Sequence, residues 1–187
     1  MTKEASTVMG CDIHAWIEFR KKPTNEEESP KWSCLQGFGE FSFRDYNMFS
    51  SLAQVRGDDE KGMTPRGLPD DVSDTVYWNM LLRVVDDDDP DWEGTIKKSL
   101  AESMVKDGRC KPVSSDIFPG DYIEDGDTHS HSWCTAKELA SCIRRNYYDR
   151  KEKKWYGGLP WKTLLWAMKA VNDTEGMESR LVFWFDS

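Results

Sequence analysis

The three histidines of this chain lie in two short motifs that also hold a carboxylate and two tryptophans. Asp12, His14 and Trp16 form the first motif, and His129, His131 and Trp133 form the second. In an extended segment every second side chain points to the same side, so each motif presents its polar pair together with its tryptophan. Imidazoles and a carboxylate at this spacing can hold Zn, Mn or Fe. Without a metal, two histidines that titrate near neutral pH can act as acid and base on a phosphodiester.

We predict that His14, His129 and His131 are catalytic and that they come together in space. For a metal-dependent reaction, the predicted ligands of a divalent ion are Asp12 and the same three histidines. The competing interpretation is structural, with the histidines as buried, hydrogen-bonded residues that support the turn into the helix after the second motif. The sequence leaves both interpretations open.

Arginines supply a second group of candidates. Arg44 precedes Asp45, a predicted helix N-cap, and a guanidinium beside a helix N-terminus suits a phosphate or a carboxylate. Arg66 lies in a long acidic loop, where it begins a rigid Gly-Leu-Pro turn. The predicted ligand-binding residues are Arg44, Tyr46, Arg66, Trp16 and Trp133, with the tryptophans stacking on a base. The alternative is that the two arginines form structural ion pairs with Asp45 and Asp70.

Two segments predict the strands that position these residues. Residues 12–19 alternate between apolar and polar side chains, and residues 180–185 are apolar at strand length. We therefore place both segments in one sheet. Residues 32–35 are predicted to return as a strand antiparallel to the first.

The first predicted helix begins after Asp45 and ends before Gly57, which acts as its C-terminal stop. Residues 77–85 are apolar enough for a short helix or a buried strand, and their period does not decide between the two. Residues 99–106 are weakly helical. The run of aspartates at residues 86–91 predicts a solvated linker or turn.

Two further helices are predicted in the C-terminal part. One begins within about two residues of Thr135, where Glu138 completes a capping box. The other begins near Pro160 and is expected to bury Trp161 and Trp166 in the core. Strands at both ends of the chain with helices between them favour an α+β fold, a small, mainly antiparallel sheet packed with three to four helices.

Composition limits the classes of protein. The chain has 187 residues, with 34 Asp and Glu against 25 Lys and Arg and a net charge of −9. This length predicts a single domain over residues 1–187, of which 1–9 form a flexible leader. The acidic balance argues against general nucleic-acid binding, and no apolar run approaches the ~20 residues of a membrane span. Five cysteines without a CxxC pair are typical of reduced thiols, so we expect a cytoplasmic protein.

The motifs resemble those of a family of small, mostly uncharacterised proteins found in bacteriophage and prophage genomes. In chain order they read GCDIH at 10–14, RDYNMFSSLAQVRG at 44–57, PRGLPDDVS at 65–73, HSHSWCT at 129–135 and RLVFWF at 180–185. Together they span nearly the whole chain. The chain departs from the family in its acidic insertion around residues 86–91, which we interpret as a surface elaboration.

The resemblance implies a protein that works in the cytoplasm of a bacterial host. Small phage proteins often counter host defences, and some bind or cleave the nucleotide messengers of those defences; this is an analogy from context. We therefore expect an immune-evasion protein that recognises and hydrolyses a small nucleotide, linear or cyclic, in a pocket of histidines, arginines and tryptophans. One alternative is a binding protein that sequesters the nucleotide. A second is an acidic inhibitor of a host protein. Under any of these interpretations we expect a homodimer.

Overall fold

A computed structural model describes residues 10–25, 28–35, 40–57, 60–114 and 120–186. The chain divides into two compact units, the first formed by residues 1–73 and 130–187 and the second by residues 74–129. A single domain that includes both units stays a prediction. The predicted leader, residues 1–9, lies outside the described residues.

The main sheet belongs to the first unit and has five strands. Numbered in chain order, these are β1 (Ile13–Lys21), β2 (Ser33–Cys34), β3 (Phe41–Phe43), β8 (Thr128–Thr135) and β11 (Met177–Asp186). The strand order is β2-β1-β11-β8, and β3 also pairs with β1. The strands β2, β3 and β11 are all antiparallel to β1. The predicted return strand over residues 32–35 is therefore confirmed, with shorter bounds.

The strands β1 and β11, which are the first and the last of the sheet in chain order, pair along the whole length of β1. Their register runs from Ile13 opposite Phe185 to Lys21 opposite Met177. Side chains alternate between the two faces of a strand. One face of β1 carries the apolar side chains of Ile13, Ala15 and Ile17. The other face carries His14, Trp16 and Glu18. Both strands predicted from the ends of the sequence are thus confirmed as members of one sheet.

Three helices pack on the apolar face of this sheet. They are α1 (Tyr46–Ala53), α4 (Ala136–Tyr147) and α5 (Leu159–Asn172). Their contribution to the core consists of fully buried side chains at helical spacing, including Phe49 and Leu52 of α1, Leu139 and Ile143 of α4, and Trp161 and Leu164 of α5. Between α4 and α5 lies a short hairpin of β9 (Tyr148–Asp149) and β10 (Lys154–Trp155).

Local capping signals set the helix ends. Thr135 and Glu138 form both hydrogen bonds of a capping box at the start of α4, as predicted. Asp45 caps α1 by accepting a hydrogen bond from the backbone N–H of Met48. The predicted stop at Gly57 is wrong, because Gln54 takes the left-handed conformation, with φ of 57°, three residues earlier.

The second unit contains two helices and a four-stranded sheet. Its elements are α2 (Asp74–Trp78), β4 (Leu81–Val85), β5 (Thr95–Lys97), α3 (Lys98–Lys106), β6 (Pro112–Val113) and β7 (Tyr122–Glu124). Residues 77–85, for which helix and strand were both open, contain the end of α2 and all of β4. The aspartate run at 86–91 forms an exposed turn.

The α+β prediction is confirmed. The described residues form five helices, against the three to four expected, because α2 and α3 belong to the second unit and only three helices cover the main sheet. None of the helices in the described part of the chain is long and apolar enough to cross a membrane.

Candidate functional site

The two histidine motifs meet on the polar face of the main sheet, with one strand between them. His14 lies on β1 directly opposite Trp184 of β11, and the two rings are stacked with their centroids 6.3 Å apart. His131 of β8 lies on the other side, with its ring centroid 5.9 Å from that of Trp184. The motifs were expected on neighbouring strands, whereas the indole of Trp184 separates the two imidazoles.

Trp16 is a packing residue in this arrangement. Its indole stacks on Trp184 at 4.3 Å, and the two side chains are 3% and 2% exposed. Rings this deeply buried have no open face for a base. The predicted stacking role of Trp16 is therefore not supported, because the tryptophan that strand alternation places beside His14 is covered by the protein itself.

The position of His129 cannot follow from simple alternation. Ser130, which separates His129 from His131, has φ of 53° and lies in the left-handed region. A non-glycine residue in this region interrupts the extended conformation of β8. The argument that both imidazoles share one strand face therefore fails at this residue.

His14 is held between two carboxylates. Its Nδ1 faces Glu40, which precedes β3, and its Nε2 lies 3.0 Å from Asp186 Oδ2 at the end of β11. Partial burial acts to lower the pKa of His14, but the hydrogen bonds and charges of Asp186 and Glu40 outweigh it and raise the pKa above its usual value. In its protonated form the ring donates from both nitrogens and joins β1 to the residue before β3 and to the end of β11.

This arrangement predicts a pH-dependent contribution to stability. Because the pKa of His14 is raised on folding, its contribution is fully present below the unfolded pKa of about 6.5 and is lost as the pH rises through the folded value. Urea unfolding from pH 5 to 9 should show His14→Gln as most destabilising at the acid end and least at the alkaline end. A difference from wild type that stays constant or grows with pH would contradict this role.

Asp12 and Arg44 form an ion pair beside this cluster. The guanidinium of Arg44 donates to both carboxylate oxygens of Asp12, at 2.6 and 2.9 Å. The hydrogen bond from Arg44 lowers the pKa of Asp12. Gly10 makes room for the guanidinium, since a Cβ at this position would lie 2.6 Å from it. Arg44 is paired, as the structural alternative held, but with Asp12 and not with Asp45.

The predicted metal ligands do not fit a metal site. Both oxygens of Asp12 are taken by Arg44, and both nitrogens of His14 face carboxylates. Across the described residues, no group of three or more His, Cys, Asp or Glu side chains is arranged to hold a metal ion. The side chains of Asp12 and His14 in the GCDIH motif instead form hydrogen bonds at one end of the main sheet.

The other predicted ligand-binding residues also have partners. Arg66 donates to Glu138, the capping residue of α4, and its guanidinium lies 4.7 Å above the ring of Trp133. Arg66 thus pairs with Glu138 of α4 and not with Asp70, the partner expected from the sequence. Tyr46 is half-exposed and packs edge-on against Phe49. Cations already neutralised by carboxylates are weak candidates for binding phosphate.

The PRGLPDDVS segment forms a loop that is held against the polar face of the sheet through Asp71. Asp71 accepts hydrogen bonds from Arg180, Arg20 and the indole of Trp32, and both guanidinium groups lie over that indole. Arg180 also donates to Glu18, which is fully buried. The motif therefore has a structural role that its sequence did not reveal.

Three cations without carboxylate partners lie together elsewhere, in a groove of about 480 Å³ on the first unit. The groove, called the α4–α5 groove below, is lined by Ala140, Ile143 and Arg144 of α4, Trp155 of β10, and Lys162, Leu165, Trp166 and Lys169 of α5. No carboxylate is among these residues. The groove has three cations, Arg144, Lys162 and Lys169. None of them forms an ion pair with any described residue. A larger cavity of about 700 Å³ in the second unit has lining side chains of both signs.

The aromatic side chains of the groove face solvent. Trp166 is 60% exposed and Trp155 is 46% exposed. The ammonium of Lys162 lies 4.6 Å from the centroid of the Trp155 ring and donates a hydrogen bond to the carbonyl of Gly157. The prediction that Trp161 is a core residue is confirmed, whereas the same prediction for Trp166 is wrong. Helix geometry explains the difference, since five residues at 100° each place Trp166 about 140° around α5 from Trp161.

Comparisons with protein-family models, curated proteins and solved structures found no match for this chain.

Proposed function

We propose that this protein binds a nucleotide in the α4–α5 groove. The observation that carries the proposal is the combination, on an acidic chain, of two exposed indoles with three cations that no carboxylate neutralises. A nucleotide has the complementary chemistry, because it joins a flat aromatic base to a phosphate anion. The groove volume also lies within the usual range for small-molecule sites, about 300–1,000 Å³.

The two halves of the ligand would use different parts of the groove. Trp166 offers the more open ring for stacking on the base. Arg144, Lys162 and Lys169 supply positive charge for the phosphate, and a guanidinium can bind two phosphate oxygens at once. Leu165 and Ile143 form an apolar floor beneath them.

Binding without cleavage is the activity that the groove supports. Its lining contains no carboxylate, imidazole or thiol that could act as a general base or a nucleophile. Sequestration of a nucleotide signal of host defence is thus the form of immune evasion that we propose. Hydrolysis by His14, His129 and His131, and inhibition of a host protein through acidic loops, stay predictions.

Trp166→Ala should weaken nucleotide binding by about 1–3 kcal/mol, roughly 5- to 150-fold in Kd, if this indole stacks on the base. Calorimetric titration with AMP, ATP and cyclic dinucleotides would measure the affinity of each variant. The fold should be retained, because Trp166 is an exposed helix position and alanine is a good helix former.

Trp92→Ala is the matched control, since Trp92 is 68% exposed but lies in the second unit. Equal losses of affinity in the two variants, or none in either, would contradict binding in the groove. Incubation of the same mixtures followed by chromatography tests turnover. Products that disappear in His14→Ala would favour hydrolysis over sequestration.

A further inference from the structure

We infer that the ligand is a stretch of single-stranded nucleic acid, of which the α4–α5 groove holds one nucleotide and the neighbouring hairpin holds the phosphates that follow. The hairpin meant here, called the basic hairpin, comprises residues 148–156. The inference rests on the proposed function and extends it from a free nucleotide to an oligonucleotide.

Positive charge is concentrated in this part of an acidic chain. Residues 144–169 contain eight Lys or Arg and two Asp or Glu, whereas the chain as a whole has a net charge of −9. The composition of the whole chain argued against general nucleic-acid binding, but an average conceals a local surface of opposite sign. Single-strand binding proteins combine such a surface with aromatic side chains.

The basic hairpin repeats the chemistry of the groove. Four of its cations are exposed, namely Arg150, Lys151, Lys153 and Lys154. Tyr156 is half-exposed, and the ammonium of Lys154 lies 5.5 Å from the centroid of its ring. A second aromatic ring with a cation beside it therefore follows directly after Trp155 in the chain.

The backbone fixes this second pair next to the groove. The N–H of Tyr156 donates to the carbonyl of Tyr147 at 2.8 Å, which extends the pairing of the hairpin. Gly157 and Gly158 then turn the chain into α5 with φ of 70° and 69°. A Cβ at Gly158 would lie 2.5 Å from the Tyr147 ring, so only glycine fits this turn.

The direction of a bound strand follows from these positions. Consecutive side chains of an extended segment point to opposite faces. Trp155 lines the groove, so Tyr156 and Lys154 lie on the outer face of the hairpin. A strand that leaves the groove therefore passes over the hairpin edge. A mononucleotide would fill the groove and leave the hairpin cations without a phosphate.

Fluorescence anisotropy with fluorescein-labelled oligothymidylates of two, four and eight nucleotides tests the inference, with dTMP as an unlabelled competitor. Affinity should increase with length and exceed that of dTMP at least tenfold for the octamer. The slope of log K against log salt should steepen by about 0.7 for each added phosphate contact. Oligouridylates of the same lengths distinguish RNA from DNA as the favoured strand.

The double variant Lys153→Gln/Lys154→Gln should weaken octamer binding at least ten times more than dTMP binding. The control Lys21→Gln/Lys31→Gln removes the same charge from exposed positions of the same unit and should have little effect on either. Equal affinity for dTMP and the octamer would overturn the inference and leave the proposed function standing. Binding of neither of these, together with no binding of AMP, ATP or cyclic dinucleotides, would overturn both. Displacement of the octamer by oligoglutamate of equal charge would also overturn the inference, since the indoles would then have no role.

Discussion

Arg180→Ala is expected to lower the free energy of unfolding by about 3–5 kcal/mol, the usual cost of leaving a buried charge without its partner. The carboxylate of Glu18 is fully buried and accepts hydrogen bonds from Arg180 Nε at 2.7 Å and from the backbone N–H of Ser73 at 2.6 Å. Alanine at position 180 removes the positive charge and leaves the carboxylate in the interior. It also removes one of the three side chains that hold Asp71 and its loop against the sheet.

Urea unfolding of three variants separates these contributions. Arg20→Ala also removes a guanidinium from Asp71 and from the Trp32 ring, but its own partner, Glu178, is partly exposed. It should therefore cost less than Arg180→Ala. Replacing Glu18 and Arg180 together with leucine should recover much of the loss, since no unpaired charge stays buried. A loss below 1 kcal/mol in Arg180→Ala would show that water reaches Glu18.

Asp45→Ala should destabilise the protein by about 3 kcal/mol or more, because this carboxylate has three donors. It caps α1 through the N–H of Met48 and also accepts hydrogen bonds from the Trp161 indole, at 2.8 Å, and from the Tyr147 hydroxyl. Loss of an N-cap costs about 0.5–2 kcal/mol, and each buried donor left unsatisfied costs about 1–3 kcal/mol more. Burial and the nearby Asp45 raise the pKa of Tyr147, so its hydroxyl stays a donor at neutral pH.

Asp45→Asn distinguishes the cap from the two side-chain donors. Its amide oxygen can still cap α1, but its NH₂ group cannot accept a hydrogen bond. Thermal unfolding should therefore place this variant between wild type and Asp45→Ala. If asparagine and alanine are equally destabilising, the cap contributes little, and if asparagine matches wild type, the bonds to Trp161 and Tyr147 contribute little.

The parts of this fold that the sequence predicts are those that depend on neighbours in the chain. The capping box at Thr135 and Glu138 spans three residues, and the alternation of residues 12–19 belongs to a single strand. The arginine partners could not be found in this way. Arg44 and Arg66 pair with carboxylates 32 and 72 residues away, while Asp45, next to Arg44 in sequence, caps α1.

Sequence reasoning missed the α4–α5 groove, and chose the histidine motifs in its place, for a related reason. Strand alternation does place the tryptophans of the two histidine motifs, but it carries no information on which strand separates the motifs or on what covers Trp16. In α5 the spacing itself held a usable signal, since Trp166 is out of phase with Trp161. The dense run of lysines and arginines before it was a second signal, hidden by the acidic average of the chain.

The pairing of β1 with β11 has a consequence for how the chain is made. Ile13 lies opposite Phe185, so the centre of the main sheet joins two segments that are far apart in the chain and leave the ribosome at different times. During translation β1 has no partner along this edge until residues 177–186 emerge, and closing so long a loop opposes early pairing. The first unit therefore cannot complete its sheet before residues 177–186 have left the ribosome. Until then this edge of β1 has unpaired backbone groups that can pair with strands of other chains.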